Sequence, residues 1–401
     1  MTTGPLSDIV SHQYERWMYP EPILDISKWL ISNWQWFDPS HAHRLFWPDR
    51  DYQPDMDILV AGCGTNQAAV LAYTNPQARV TAIDVSQPSL DHHRYLRDRY
   101  GMKNLEIHSL PIEEVEGLGR DFDLIVSTGV LHHLADPDRG MASLGRCLKT
   151  DGVAAIMLYA RYGRLGVEML QGVFRDLDLR QNDASVLMVR EALAQLPQDH
   201  PVKSYLGIAP DLRFDAGVVD TFLHGRERSY TVDDCLSLVS GAGLVFQEFF
   251  LKAPYYAAPA STGALWHAIS RLPREKQWAV MERINFRNGC HFFTACRPER
   301  KPESYRVDFG APEAAAWVAS LRYRCSLNGN RLSRHNWSMT LDPAQLAIVG
   351  LIDGHRSLAE ISAAARGGVG IGERSETESF ADTCSLLGQL WDLDLLAIAL
   401  A

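Results

Sequence analysis

A chain of 401 residues exceeds one average domain, so two or three packed units are expected. Apolar residues make up 46% and charged residues 22%, ordinary globular composition with ample material for a core. A net charge of -10, from 39 basic and 49 acidic residues, disfavours broad contact with a nucleic-acid backbone, where clustered Lys and Arg supply the energy.

Seven cysteines (63, 147, 235, 290, 296, 325 and 384) show no metal-ligand spacing, and reduced, mostly buried thiols are expected, with no metal site. Met1 to Ser11 is short, polar and lacks a basic lead, and no apolar run reaches the roughly 18 residues of a membrane span. Those features predict a cytoplasmic protein without a membrane segment.

Residues 1–54 are rich in aromatics and prolines, among them Tyr14, Trp17, Tyr19, Pro20 and Trp36, and Ile23 to Trp36 has helical spacing. Strand and helix then alternate. Strands are predicted at Asp57 to Ala61, Arg79 to Ile83, Asn104 to His108, Phe122 to Val126 and Gly152 to Leu158. Helices are predicted at Gln67 to Thr74, Pro88 to Tyr100 and Met141 to Leu148. Continuous apolar strands alternating with amphipathic helices predict an α/β fold with a mostly parallel sheet covered on both faces.

From Arg161 to Arg228 the rhythm breaks into a helical insertion, Leu165 to Leu179 and Ser185 to Leu196, expected to cap the site. A helix from Thr231 (its N-cap) to Val239, a strand Leu244 to Leu251, a largely helical stretch Ser261 to Ile284 and a strand His291 to Cys296 complete a domain over 55–300. Charge and proline at Arg297 to Ser304 mark a boundary before a small module, 305–401. There, helices are predicted at Leu341 to Leu351, Ser357 to Ala365 and Glu376 to Leu396, and the stretch Gly367 to Gly372 is glycine-rich.

The chemistry concentrates in Ile58 to Asn66, where Gly62 and Gly64 follow a buried strand and allow close approach to a ligand. About twenty residues on, Asp84 ends the second strand, where a carboxylate can accept both hydroxyls of a ribose. A dinucleotide-binding loop would carry a third glycine where Gln67 stands, and no Gly-Lys-Ser or Gly-Lys-Thr phosphate loop is present.

Ile58 to Asn66, Asp84, and the block Phe122 to Pro137 with its Gly-Val-Leu-His-His run together resemble the class I S-adenosylmethionine-dependent methyltransferases, over about residues 55–298. The resemblance implies a Rossmann-like seven-stranded sheet with an inserted helical cap and a small, mainly helical C-terminal domain. It implies S-adenosylmethionine as cofactor. Ala61, Gly62 and Gly64 would line its methionine half, Asp84 would bind its ribose, and Cys63 and Val85 would be further cofactor contacts. Leu110, Pro111 and Ile112 would flank the adenine, and Thr128, Gly129 and Val130 the sulfonium. Three departures from the family stand out: Val60 replaces an acid, Asn66 replaces a third glycine, and Pro111 stands where an acid often meets the adenine amino group. Asparagine tolerates unusual backbone angles, which keeps the turn feasible.

Methyl transfer is an in-line displacement that needs alignment, exclusion of water and sometimes a base. His132 and its neighbour His133 are base candidates, and Tyr159 and Arg161, at the carboxyl edge of the fifth strand, are candidates for acceptor contact. His224, Arg226 and Arg228 follow as weaker candidates. The acceptor is expected to be a small molecule or a peptide. The C-terminal module resembles small winged-helix domains appended to bacterial methyltransferases. Its basic cluster of Arg322, Arg324, Arg331, Arg334 and His335 is offset by acidic residues, which favours protein contact or self-association over DNA. Two rival readings are a protein (lysine) methyltransferase whose module recruits the target, and a non-catalytic S-adenosylmethionine sensor.

Overall fold

A computed structural model describes residue 6 and residues 8–258, 261–334, 337–366 and 375–400. Three short helices, α1 (Ile9–Arg16), α2 (Ile26–Ser32) and α3 (Pro39–Phe46), precede the first strand, each opened by an aspartate whose carboxylate takes up free amides of the first turn. Then β1 (Asp57–Ala61), α4 (Gln67–Thr74), β2 (Arg79–Asp84), α5 (Gln87–Tyr100), β3 (Leu105–Ser109), β4 (Phe122–Thr128), α6 (Pro137–Arg146) and β5 (Leu148–Tyr159) alternate as expected. After the insertion come α11 (Val232–Gly241), β6 (Val245–Phe249), α12 (Ala264–Ser270), α13 (Arg274–Ile284) and β7 (Cys290–Cys296). Thr231 caps α11 in a reciprocal capping box with Asp234.

The seven strands form one sheet in the order β3-β2-β1-β4-β5-β7-β6. Neighbours from β3 to β5 run parallel, and β7 runs antiparallel to β5, with Val153 opposite Cys296 and Tyr159 opposite Cys290. All five residues of β1 are buried, as central parallel strands require. Strand order reverses between β1 and β4, and the carboxyl ends of those strands open the crevice where such sheets bind ligands.

The chain leaves the sheet after Tyr159 and returns beside it, since Tyr230 N donates to Tyr159 O and Arg161 N to Tyr230 O, both at 2.8 Å. The intervening insertion comprises α7 (Leu165–Asp176), α8 (Asp183–Gln195), α9 (Val202–Leu206) and α10 (Asp215–Phe222) around its own core of Val167, Phe174, Val189, Val202, Val219 and Phe222.

The chain separates into two compact units, 1–37 with 54–246 and 282–300, and 38–53 with 247–281 and 301–401. In the second unit, α14 (Pro343–Val349), α15 (Leu358–Ala365) and α16 (Glu376–Asp392) follow the predicted helices. They are joined by five strands of four residues that the periodicity did not reveal. Of these, β8 (Val318–Leu321) pairs with β12 (Leu396–Ala399), while β9 (Cys325–Asn328), β10 (Arg331–Arg334) and β11 (Trp337–Thr340) form a meander. The expected basic cluster is dismantled. Arg322 and Arg334 turn onto the buried Asp394 at 2.7 and 3.1 Å, because a buried carboxylate requires compensation. Arg331 donates to Ser338, and His335 and Gly367 to Gly372 lie outside the described residues. The single helical stretch expected over 261–284 is two helices, interrupted where Pro273 lacks an amide donor and biases Leu272 away from helical angles. No helix among the described residues is long and apolar enough to cross a membrane.

Candidate active site

The loop after β1 is shaped by two left-handed glycines, Gly62 at φ +72° and Gly64 at φ +53°. Gly62 N and Cys63 N both donate to Ile83 O, at 2.9 and 3.0 Å, which folds the loop across the end of β2. A Cβ on Gly62 would lie 2.5 Å from both methyls of Val130, so the two loops can meet only at glycine. Asp84 is clamped beneath: Gly64 N donates to one carboxylate oxygen at 2.8 Å and Ser86 N to the other at 2.9 Å. Each oxygen keeps a further lone pair for a ligand hydroxyl. Burial holds this carboxyl above its ordinary range, and the amide donors oppose the shift.

Asn66 does not serve the turn as expected. Its φ of -132° is open to any residue. Its side chain instead accepts from Ile23 N and donates to Glu21 O, both at 2.8 Å, and Thr65 Oγ1 donates to Pro20 O at 2.7 Å. The N-terminal segment is thereby tied to the glycine loop.

A cavity of about 670 Å³ opens above these elements. Gly62, Gly64, Asp84, Val85, Leu110, Pro111, Ile112, Thr128, Gly129 and Val130 line one end. Ala61 and Cys63 are buried and do not reach its wall. Glu113, which no sequence motif singled out, also lines the cavity, with Oε2 buried and without a hydrogen-bond partner. It rides a 3₁₀ turn, Ile112–Leu118, that starts after Pro111.

Tyr14, Tyr19, Tyr159 and Phe292 also line the cavity, with Tyr205 and Asp211 contributed by the insertion. Tyr14 donates to Asp220 Oδ1 at 2.7 Å and Tyr159 to Oδ2 at 3.1 Å, while Tyr19 donates to Asp211 at 2.8 Å. Burial, with Asp220 next, pushes Tyr14, Tyr19 and Tyr159 well above the ordinary phenol range, so all three are donors. Arg226 pairs with Asp8 and donates to His133 O at 2.8 Å.

Of the three residues singled out for catalysis, only Tyr159 reaches the cavity. His132 is buried behind it, its ring stacked on Tyr159 at 4.0 Å between centroids, and burial holds it well below the ordinary imidazole range. Arg161 is exposed and off the wall, because it sits past the end of β5 where the insertion departs. His133 lines the cavity in place of His132.

His133, Asp220 and His224 bring possible ligand atoms within 4.8 Å of one another. The two imidazoles stack at 3.8 Å and 16°, so their in-plane lone pairs run side by side and do not converge on one ion. Nδ1 of His224 accepts from Arg226 N at 3.0 Å, which puts the proton of the neutral ring on Nε2, facing Tyr14 at 3.3 Å. Asp220 and His224 are engaged in hydrogen bonds, while His133 holds Arg226 O at 3.0 Å through Nδ1 and keeps a buried Nε2 without a partner.

The sheet order, the glycine loop and the clamped acid define a class I methyltransferase fold, the class whose methyl donor is S-adenosylmethionine. A family model described as "Methyltransferase domain" matches residues 59–154. An uncharacterized protein of Synechococcus is 31% identical over 251 residues, which cover 61% of this chain and 60% of that protein. The malonyl-[acyl-carrier protein] O-methyltransferase of Acetivibrio thermocellus is 36% identical over 112 residues, 28% of this chain and 38% of that enzyme. The chain thus spans less than two thirds of these relatives. In fold it is similar to PKMT2 from Rickettsia typhi, with a TM-score of 0.66 at 14% identity over 91% of this chain and 76% of that one.

Proposed function

We propose that the chain transfers a methyl group from S-adenosylmethionine to a small-molecule or peptide acceptor enclosed beneath the helical insertion. The observation that carries this reading is a continuous cavity of about 670 Å³ lined by both the glycine loop and the insertion, within the size range of enclosed small-molecule sites. The residues at its first end fit the donor: two free lone pairs on Asp84 for ribose hydroxyls, and an orphaned, buried Glu113 oxygen for the adenine amino group. Gly62 and Gly64 would take the methionine half, Leu110, Pro111 and Ile112 the adenine faces, and Thr128, Gly129 and Val130 the sulfonium side. Ala61 and Cys63 shape the loop from behind.

The donor supplies an electrophilic methyl group on a sulfonium. The chain's part is to hold the acceptor in line and to exclude water. Tyr159 faces the acceptor as a neutral phenol whose one proton goes to Asp220, leaving its oxygen as an acceptor, with His132 stacked behind it as a positioning residue.

Calorimetric titration with S-adenosylmethionine and S-adenosylhomocysteine tests the reading. Both should bind, and Asp84→Ala should weaken binding by about 1.5–3 kcal/mol, the scale of charge-assisted hydrogen bonds. Absence of binding in the intact protein would sink it.

A further inference from the structure

The cavity wall as a whole has an unbalanced charge. Asp8, Asp84, Glu113 and Asp211 bring four carboxylates to the wall, against the one guanidinium of Arg226. Arg226 is already paired with Asp8. The donor, when bound, carries a single net positive charge and leaves the wall negative. Behind Tyr14 and Tyr159, Asp220 is a fifth carboxylate, 1% exposed and held only by phenol donors. Arg164, the guanidinium beneath the chamber, is fully buried against Glu227 at 2.8 Å. Among the described residues, neither Asp211 nor Asp220 has an ion-pair partner. Buried carboxylates short of positive neighbours call for a cation.

Asp211 is the carboxylate best placed to meet one. It lines the chamber half-buried, and Tyr19 occupies only its Oδ2. Its backbone is set by α10, where a Cβ on Gly217 would lie 2.2 Å from Asp211 O. The rings of Tyr19, Tyr205, Trp36 and Phe292 complete the wall, and aromatic faces attract cations. Burial raises the Asp211 carboxyl, the Tyr19 hydrogen bond opposes the shift, Asp220 adds to it, and the more distant Arg164, engaged by Glu227, opposes it weakly.

We propose that the acceptor is an aliphatic ammonium group, of a lysine side chain or a free diamine, bound against Asp211. This rests on the methyltransferase reading above. The ammonium gives one proton to the Asp211 carboxylate, and the freed nitrogen lone pair forms the N–CH₃ bond as the S–CH₃ bond breaks, its electrons returning to sulfur. The product leaves as a methylated ammonium, and Asp211 returns its proton to solvent.

The test assays S-adenosylhomocysteine formation by the full chain with Nα-acetyl-lysine methylamide, putrescine, malonate and phenol, alongside calorimetry of S-adenosylmethionine. One of the two amines should be methylated, and which one identifies the source. Asp211→Asn should raise the amine KM at least tenfold and shift the acidic limb of the kcat/KM profile, with cofactor affinity unchanged within twofold. Tyr19→Phe, which keeps the carboxylate and loses only its donor, should raise KM by less and serves if the first variant misfolds. Turnover of malonate or phenol alone, inert amines despite cofactor binding, or an Asp211→Asn enzyme equal to the parent would each overturn the amine assignment. No cofactor binding at all would instead overturn the methyltransferase reading itself.

Discussion

Glu113 and Gly62 separate what a residue declares in sequence from what it acquires in three dimensions. The spacing of Gly62, Gly64 and Asp84 was legible because strand ends and a tight turn constrain residue type. Glu113 was not, because its orientation depends on a 3₁₀ turn that places it two residues past the acid's usual position. If its orphaned oxygen takes the adenine amino group, Glu113→Ala should weaken S-adenosylmethionine about tenfold, roughly 1.4 kcal/mol. The hypoxanthine analogue, which lacks that amino group, should bind both proteins alike. Equal loss for both ligands in titration would refute the contact. Gly62→Ala should cost roughly 1–2 kcal/mol for its left-handed backbone alone, plus the collision with Val130 at 2.5 Å. Adding Val130→Ala should recover the collision but not the backbone cost, read from urea midpoints. Asn66 is the opposite case: its identity suggested a backbone role, and its side chain does the tethering.

Elements were readable where hydrophobic period and length agreed, as in β1, α4 and β4, whose bounds fall where strand and helix patterns begin. They were unreadable where strands shrink to four residues, too short for alternation to register, as in β8 to β11. The insertion was visible as a break in rhythm, but its attachment was not. Arg164, 0% exposed, joins it to the sheet by pairing with Glu227, hydrogen bonding to Tyr205 and lying 3.7 Å over the Tyr159 ring. Arg164→Ala leaves Glu227 buried and unmatched, and should cost about 3–5 kcal/mol. The double variant Arg164→Met, Glu227→Leu should restore much of that stability in chemical denaturation. If the single and double variants are equally destabilised, the charge pair is not what anchors the insertion.

For the molecule as a whole, burial of neutral histidines ties stability to pH. Burial lowers His43 and His93 to about 4, and also depresses His92, His132 and His224. A depressed histidine binds more protons unfolded than folded, so its contribution is complete above the unfolded value of about 6.5 and is lost as pH falls toward the folded one. Carboxyls raised by burial act oppositely, Asp392 at about 7 most of all, so the parent's net slope mixes both signs. The histidine part is isolated by His93→Phe. Between pH 6.5 and 4 this variant should lose about 3 kcal/mol less than the parent, the linkage of a group held down to about 4. Parallel stability curves for the two proteins would rule that out. The N-terminal segment carries a consequence of a different kind. Its fastenings reach both ends of the cavity: Pro20, Glu21 and Ile23 to the glycine loop, Asp8, Tyr14 and Tyr19 to Arg226, Asp220 and Asp211. A strap so secured must come away as one piece before spent donor can be exchanged. Rapid mixing should then show a burst, one fast turnover per enzyme followed by a slower steady rate set by the strap's opening.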